Sequence, residues 1–123
     1  MAQRILVVDD EEVVCSMLND LLTECGYEVF IAVNGEEGLR KANQLKPNLI
    51  ILDINMPDVS GCGVSAVLDA NEETRHIPVI FLTGYIDQEE TTRLDNTLAG
   101  HKLVSKPFDT AELIAAVKDS LSA

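Results

Sequence analysis

Five residues stand out because each closes, or closely follows, a short apolar run. Asp9 and Asp10 follow Ile5-Leu6-Val7-Val8, Asp53 follows Leu49-Ile50-Ile51-Leu52, Thr83 follows Val79-Ile80-Phe81-Leu82, and Lys106 comes soon after Leu103-Val104. If those runs lie side by side, three carboxylates, a hydroxyl and an ammonium share one edge. Carboxylates within a few ångströms repel, and at least one tends to keep its proton. A divalent cation relieves the repulsion, and magnesium (Mg2+) prefers carboxylate oxygens together with waters and phosphate oxygens. An aspartate carboxylate is also a nucleophile toward phosphoryl groups. Such transfers depend mostly on positioning and charge stabilisation. The set therefore points to phosphoryl chemistry on Asp53, with Mg2+ at the acidic residues, Lys106 as a second positive charge and Thr83 as a hydrogen-bond donor. Taken singly, each residue has a plainer account: acids after a strand cap helices, Thr83 fits a turn, and Lys106 fits a solvated surface. Only the five arriving together favour phosphoryl chemistry over these plainer roles.

The elements that must position them follow from hydrophobic spacing. Continuous apolar runs of this length suit strands buried on both faces, as in a parallel sheet; Tyr27 to Ala32 and Leu103-Val104 are weaker runs. Between the runs lie helical patterns. Val14, Met17, Leu18, Leu21, Leu22 and Cys25 recur at spacings of three and four and mark one helix face. Asn34 with Glu37 begins a helix running to about Leu45, which Pro47 helps to stop. A third helix is expected from about Ser60 to Ala70, and a fourth, with only Leu94 and Leu98 as its apolar stripe, from Asp87 to Leu98. Asp109 and Glu112 open the last, which carries Leu113, Ile114, Val117 and Leu121. Alternating strand and helix, five times over, predicts an α/β fold with a doubly wound five-stranded parallel sheet and helices on both faces. The expected strand order is 2-1-3-4-5, whose switch point lies between the first and third strands, where ligands bind beyond the carboxyl ends.

The bulk composition narrows the classes. One domain, 1–123, is expected, with 46 % hydrophobic residues and a net charge of −12. That charge argues against nucleic-acid binding by this domain. No apolar run is long enough to cross a bilayer, and Met-Ala-Gln-Arg leads straight into a strand with no visible signal peptide. Cys15, Cys25 and Cys62 form no CxxC pair, and their odd number fits a reducing, cytoplasmic setting.

The blocks Ile5-Leu6-Val7-Val8-Asp9-Asp10-Glu11, Leu52-Asp53-Ile54-Asn55-Met56-Pro57, Phe81-Leu82-Thr83-Gly84 and Ser105-Lys106-Pro107-Phe108 resemble the four signature blocks of response-regulator receiver domains in two-component signalling. The resemblance runs from about Arg4 to Leu121 and implies a flavodoxin-like fold. It implies that Asp53 is the phosphoacceptor. It also implies that Asp10 binds Mg2+ directly, that Asp9 does so through water, and that the Asn55 carbonyl completes the protein ligands. Thr83 and Lys106 would contact the phosphoryl oxygens, the Lys106–Pro107 bond would be cis, and Pro57 and Gly61 would shape the loop after Asp53. The phosphoryl source would be a phosphohistidine on a histidine kinase or phosphotransfer protein, and the recipient of the signal an unspecified downstream effector. One position departs from the pattern: Leu103 stands where the family usually has Tyr or Phe three residues before the lysine. The read-out is therefore expected to run less through residue 103 than through Thr83, Gly84 and the helix after them.

Three other readings compete. A haloacid-dehalogenase-type phosphatase also uses a strand-end aspartate and magnesium, but Asn55 stands where its second acid belongs. A flavin module would need a phosphate-cradling loop where Asp9-Asp10-Glu11-Glu12 would repel a phosphate. A degenerate receiver that only binds partners would not need the complete five-residue set.

Overall fold

The computed structural model describes residues 2–84, 97–98, 101–106 and 108–122. Three strands carry continuous apolar runs buried on both faces: β1 (Arg4–Val8), which begins with an arginine, β3 (Leu49–Asp53), which ends in an aspartate, and β4 (Val79–Thr83), which ends in a threonine. Only Arg4, where β1 begins, is exposed. Such runs cannot lie at a surface, and a parallel sheet covered on both sides is the arrangement that buries them. β2 (Glu28–Ala32) is half-buried and forms one edge. β6 (His101–Ser105) lies beyond β4, and a two-residue strand, β5 (Thr97–Leu98), borders it.

The order across the sheet is β2-β1-β3-β4-β6-β5. The pairs β1–β2, β1–β3, β3–β4 and β4–β6 are all parallel, so the five main strands follow the expected 2-1-3-4-5 order. The register sets Asp53 opposite Leu82 and Thr83 opposite Ser105. The fourth helix was expected to end at Leu98, yet Thr97 and Leu98 pair antiparallel with Lys102 and His101. The outer side of β6 carries unpaired backbone groups, and a short strand satisfies them. The rest of that expected helix, 87–96, lies outside the described residues, as does Pro107 and with it the expected cis bond.

Four helices are described: α1 (Glu12–Glu24), α2 (Gly35–Leu45), α3 (Gly61–Ala70) and α4 (Thr110–Ser122). α1 stops where Gly26 takes a φ of 95°, a left-handed conformation that favours glycine. Its buried line is Cys15, Leu18 and Leu22, whereas Met17 and Cys25, expected on that face, are exposed. Spacing places Met17 one step outside the buried line, and the thioether faces water. α2 begins at Asn34, whose side chain accepts from the Glu37 N–H at 2.8 Å, as the Asn34–Glu37 pairing predicts. Ser60 caps α3 through the Gly63 N–H, and Asp109 accepts from the N–H groups of Ala111 and Glu112 at the start of α4.

The sheet divides the interior in two. Ile5, Val7, Ile51, Leu82 and Val104 pack with α1 and α4 on one face. Leu6, Val8, Leu52, Phe81 and Leu103 pack with α2 and α3 on the other. Alternation along each strand supplies both faces, and no helix among the described residues is long and apolar enough to cross a membrane.

Candidate functional site

The first strand delivers its acids by continuing one residue past its end. The Asp9 N–H donates to the Ala32 carbonyl at 3.0 Å, which keeps Asp9 in register with β2 and fully buried. Asp9 Oδ1 accepts from the Glu11 N–H at 2.9 Å, and the Cys15 thiol donates to the Asp9 carbonyl at 3.2 Å. The first turn of α1 therefore fixes Asp9 from both sides. Asp10, the next residue, turns outward and is exposed.

Asp53 closes β3 with 4 % of its surface exposed, and its Oδ1 accepts from the Asn55 N–H at 3.3 Å. Its backbone is clamped by α3. A Cβ added at Gly61 would lie 2.3 Å from the Asp53 carbonyl oxygen, so only glycine allows the helix to start there. The Gly61 N–H donates to the Ile54 carbonyl at 2.7 Å. Thr83 closes β4, buried, and its carbonyl accepts from the Lys106 N–H at 2.7 Å. That bond holds the backbone of Lys106 at the end of the neighbouring strand.

Lys106 reaches back across the edge. Its Nζ lies 2.8 Å from Asp9 Oδ2, 3.0 Å from Glu11 Oε1 and 3.6 Å from Asp53 Oδ2. One carboxylate oxygen from each of Asp9, Asp10 and Asp53 can be chosen so that all lie within 4.8 Å of one another. The sequence-predicted residues thus meet at one edge: Asp9, Asp10, Asp53 and Lys106 by direct proximity, Thr83 as the adjoining strand end, and Asn55 through its backbone beside Asp53.

The electrostatics follow from this crowding. Burial, with the nearby charge of Asp9, pushes the Asp53 carboxyl up to about 6, although Lys106 and the Asn55 N–H pull the other way. Burial opposes the charge on Lys106, but its contacts with Asp9 and Glu11 outweigh it and hold the ammonium above its usual range. A buried carboxyl raised in this way, first by burial and then by a neighbouring acid, has its charged form favoured by an added cation. The oxygen donor set suits a hard divalent cation, so these residues fit magnesium.

Two contributors went unrecognised in the sequence. Glu11 shares Lys106 with Asp9, a contact between residues 95 apart along the chain. Asp58, in the loop between β3 and α3, accepts from the N–H groups of Gly35 and Glu36 at 2.9 and 3.0 Å. Those bonds, Gly35 first, hold its carboxyl below the usual range. The acidic run after β1 hinted at the first, and no periodic signal announced the second.

Comparison with known proteins agrees with this architecture. The family model described as "Response regulator receiver domain" matches residues 5–118. The polar-differentiation response regulator DivK of Brucella anthropi is 33 % identical over 121 residues, covering 98 % of each chain. The alkaline phosphatase synthesis transcriptional regulatory protein PhoP of Bacillus subtilis is 38 % identical over 118 residues; these are 96 % of this chain but 48 % of PhoP. A putative response regulator from Chloroflexus aurantiacus superposes with a TM-score of 0.88 at 28 % identity, covering 100 % of both chains. With a matched model over nearly the whole chain and the strand order 2-1-3-4-5 in place, the chain belongs to the response regulator receiver domain family.

Proposed function

We propose that this chain is one phosphoacceptor receiver domain, 1–123, acting in the cytoplasm in a two-component phosphorelay. It takes a phosphoryl group from a phosphohistidine on a histidine kinase or phosphotransfer protein onto Asp53. The observation that carries this reading is the buried Asp53 carboxylate at a strand end, grouped with Asp9 and Asp10 and faced by Lys106. Asp9, Asp10, Asp53 and the Asn55 carbonyl would hold Mg2+. Bound there, the ion supplies charge neutralisation between the carboxylates and the phosphoryl oxygens.

The chain's own residues do the rest. An Asp53 carboxylate oxygen attacks phosphorus, and an acyl phosphate bond forms as the P–N bond breaks. The electron pair of that bond stays on the donor nitrogen, so a donor in its imidazolium form leaves as neutral imidazole. Lys106 exchanges its contacts with Asp9 and Glu11 for a phosphoryl oxygen, and Thr83 donates its hydroxyl to another. These charge-assisted contacts favour the transferring group by positioning and electrostatics. The domain thereby assists its own phosphorylation and dephosphorylation as a signalling phosphoacceptor, and its partner-binding face changes in response. A net charge of −12 weighs against nucleic acid as the partner of this domain.

The test is incubation with acetyl phosphate, with and without Mg2+, followed by intact-mass measurement. The wild-type chain gains one phosphoryl group only with Mg2+, and Asp53→Asn gains none. Equal labelling of the Asn variant would overturn the assignment.

A further inference from the structure

The loop from Ile54 to Ser60 carries the Asn55 carbonyl, and it is fastened at both ends. The Ile54 N–H donates to the Leu82 carbonyl at 3.0 Å, and the Gly61 N–H returns to the Ile54 carbonyl at 2.7 Å. Its outer arm is fastened elsewhere. Asp58 offers one carboxylate oxygen to the Gly35 N–H and the other to the Glu36 N–H, across a separation of 22 to 23 residues. Asn34 already serves the same helix start, with its side chain accepting from Glu37 and its carbonyl from Gly38. An asparagine in that place is by itself a full N-cap. The second, bidentate cap therefore adds something that α2 alone does not need, namely a tie to the loop.

α2 is a firm anchor for that tie. A Cβ at Gly38 would come within 2.8 Å of a Val8 methyl, so the helix start rests on the last residue of β1. Val8 immediately precedes Asp9 and Asp10. At Gly35, a Cβ would meet the Val59 side chain at 3.0 Å, so helix and loop are also in close apposition. Asp58 thus links the loop bearing Asn55, through α2, to the strand bearing the other acids.

We propose that Asp58 is a positioning residue for the Asp53 centre: by capping α2 from the β3–α3 loop, it holds the Asn55 carbonyl in register with Asp9 and Asp10 for a divalent cation. This rests on the reading of those residues as a magnesium site. Groups hydrogen-bonded directly to a metal ligand typically change affinity by about 10–100-fold when removed. Asp58 acts one step further out and is expected to fall below that range.

The experiment is calorimetric titration of the full chain with Mg2+ alone. Asp58→Ala raises the Kd about three- to tenfold, below the direct-partner range. Asp58→Asn, which keeps one carbonyl acceptor, falls between that variant and wild type, and it serves also if the alanine variant folds poorly. Asn34→Ala removes a cap from the same helix without touching the loop; it lowers Tm but leaves the Kd within about twofold of wild type. By reciprocity, bound Mg2+ slows amide exchange at Gly35 and Glu36 in the wild-type chain. Equal effects of Asp58→Ala and Asn34→Ala on the Kd, or unchanged exchange at those amides, would make Asp58 a helix cap only. A wild-type chain that binds no Mg2+ overturns the magnesium site itself and this inference with it, so the two failures are distinguishable.

Discussion

Removing the charge of Asp53 should stabilise the metal-free protein at neutral pH. Burial, then the charge of Asp9, raises the folded carboxyl from 3.8 to about 6, while an unfolded aspartate ionises near 3.9. Between roughly pH 4 and 6 the folded state therefore binds more protons than the unfolded one, and the free energy of unfolding falls as pH rises. The favourable contribution is fully present below about pH 4 and is gone once pH has passed the folded value. Each tenfold change in proton affinity is worth about 1.4 kcal/mol, so ionised Asp53 costs the fold about 3 kcal/mol at pH 7.5. Asp53→Asn escapes that cost. Its amide nitrogen, if it takes the place of Oδ2, faces the Lys106 ammonium, which lies 3.6 Å from that oxygen in the wild type. That repulsion trims the expected gain to about 1–3 kcal/mol. Urea unfolding in the presence of a chelator measures it at pH 7.5 and pH 4. The variant should be more stable at pH 7.5, the gap should shrink at pH 4, and added Mg2+ should close it by stabilising the wild type alone. Equal stabilities at pH 7.5, or a gap indifferent to pH, would refute the reasoning.

Three further outcomes follow from the same geometry. Asp10→Ala should weaken Mg2+ binding because it removes an exposed carboxylate from the proposed ligand set. Lys106→Ala should leave binding intact or tighten it, since the ammonium 2.8 Å from Asp9 competes with the ion; Mg2+ titration of both variants checks this, and the reverse pattern would refute the roles. Gly61→Ala forces a methyl to within 2.3 Å of the Asp53 carbonyl. It should cost about 1–3 kcal/mol in urea unfolding and slow the labelling of Asp53 by acetyl phosphate, whereas a neutral result on both would contradict the close approach. Leu103 is 1 % exposed, so Leu103→Ala should cost about 2–5 kcal/mol, and a loss below about 1 kcal/mol would mean that the site collapses around the smaller side chain.

The sheet and the acidic edge were readable because both depend on local signals. Wholly apolar runs must be buried on two faces, and a polar residue at the end of each run must sit at a sheet edge whatever the detailed register. Asn34 and Asp109 were readable for a similar reason, since a cap and the helix it serves are neighbours in the chain. Thr97 and Leu98 were misread because a narrow apolar stripe was counted as helical while the need of β6 for an edge partner is a tertiary matter. Met17 was misplaced because apolar spacing marks a stripe but not its width. The tie from Asp58 to α2 and the contact of Glu11 with Lys106 join residues far apart in sequence, and nothing periodic announces either. Leu103, at the position where the family usually has an aromatic ring, lies within the core that includes Phe81 and Leu52.

Cys15 gives the acidic edge a chemical clock. Its thiol is buried, donates to the Asp9 carbonyl, and is pushed up to about 11 by burial and the charge of Asp9. Thiolate is the reactive form, so a thiol reagent at neutral pH should modify Cys25 and Cys62 promptly and leave Cys15 untouched while α1 stays seated on β1. Modification of the third sulfur then requires the first turn of α1 to lift from Asp9. The rate of that slow step, followed by mass, reads how often the strand end that carries the acids comes open.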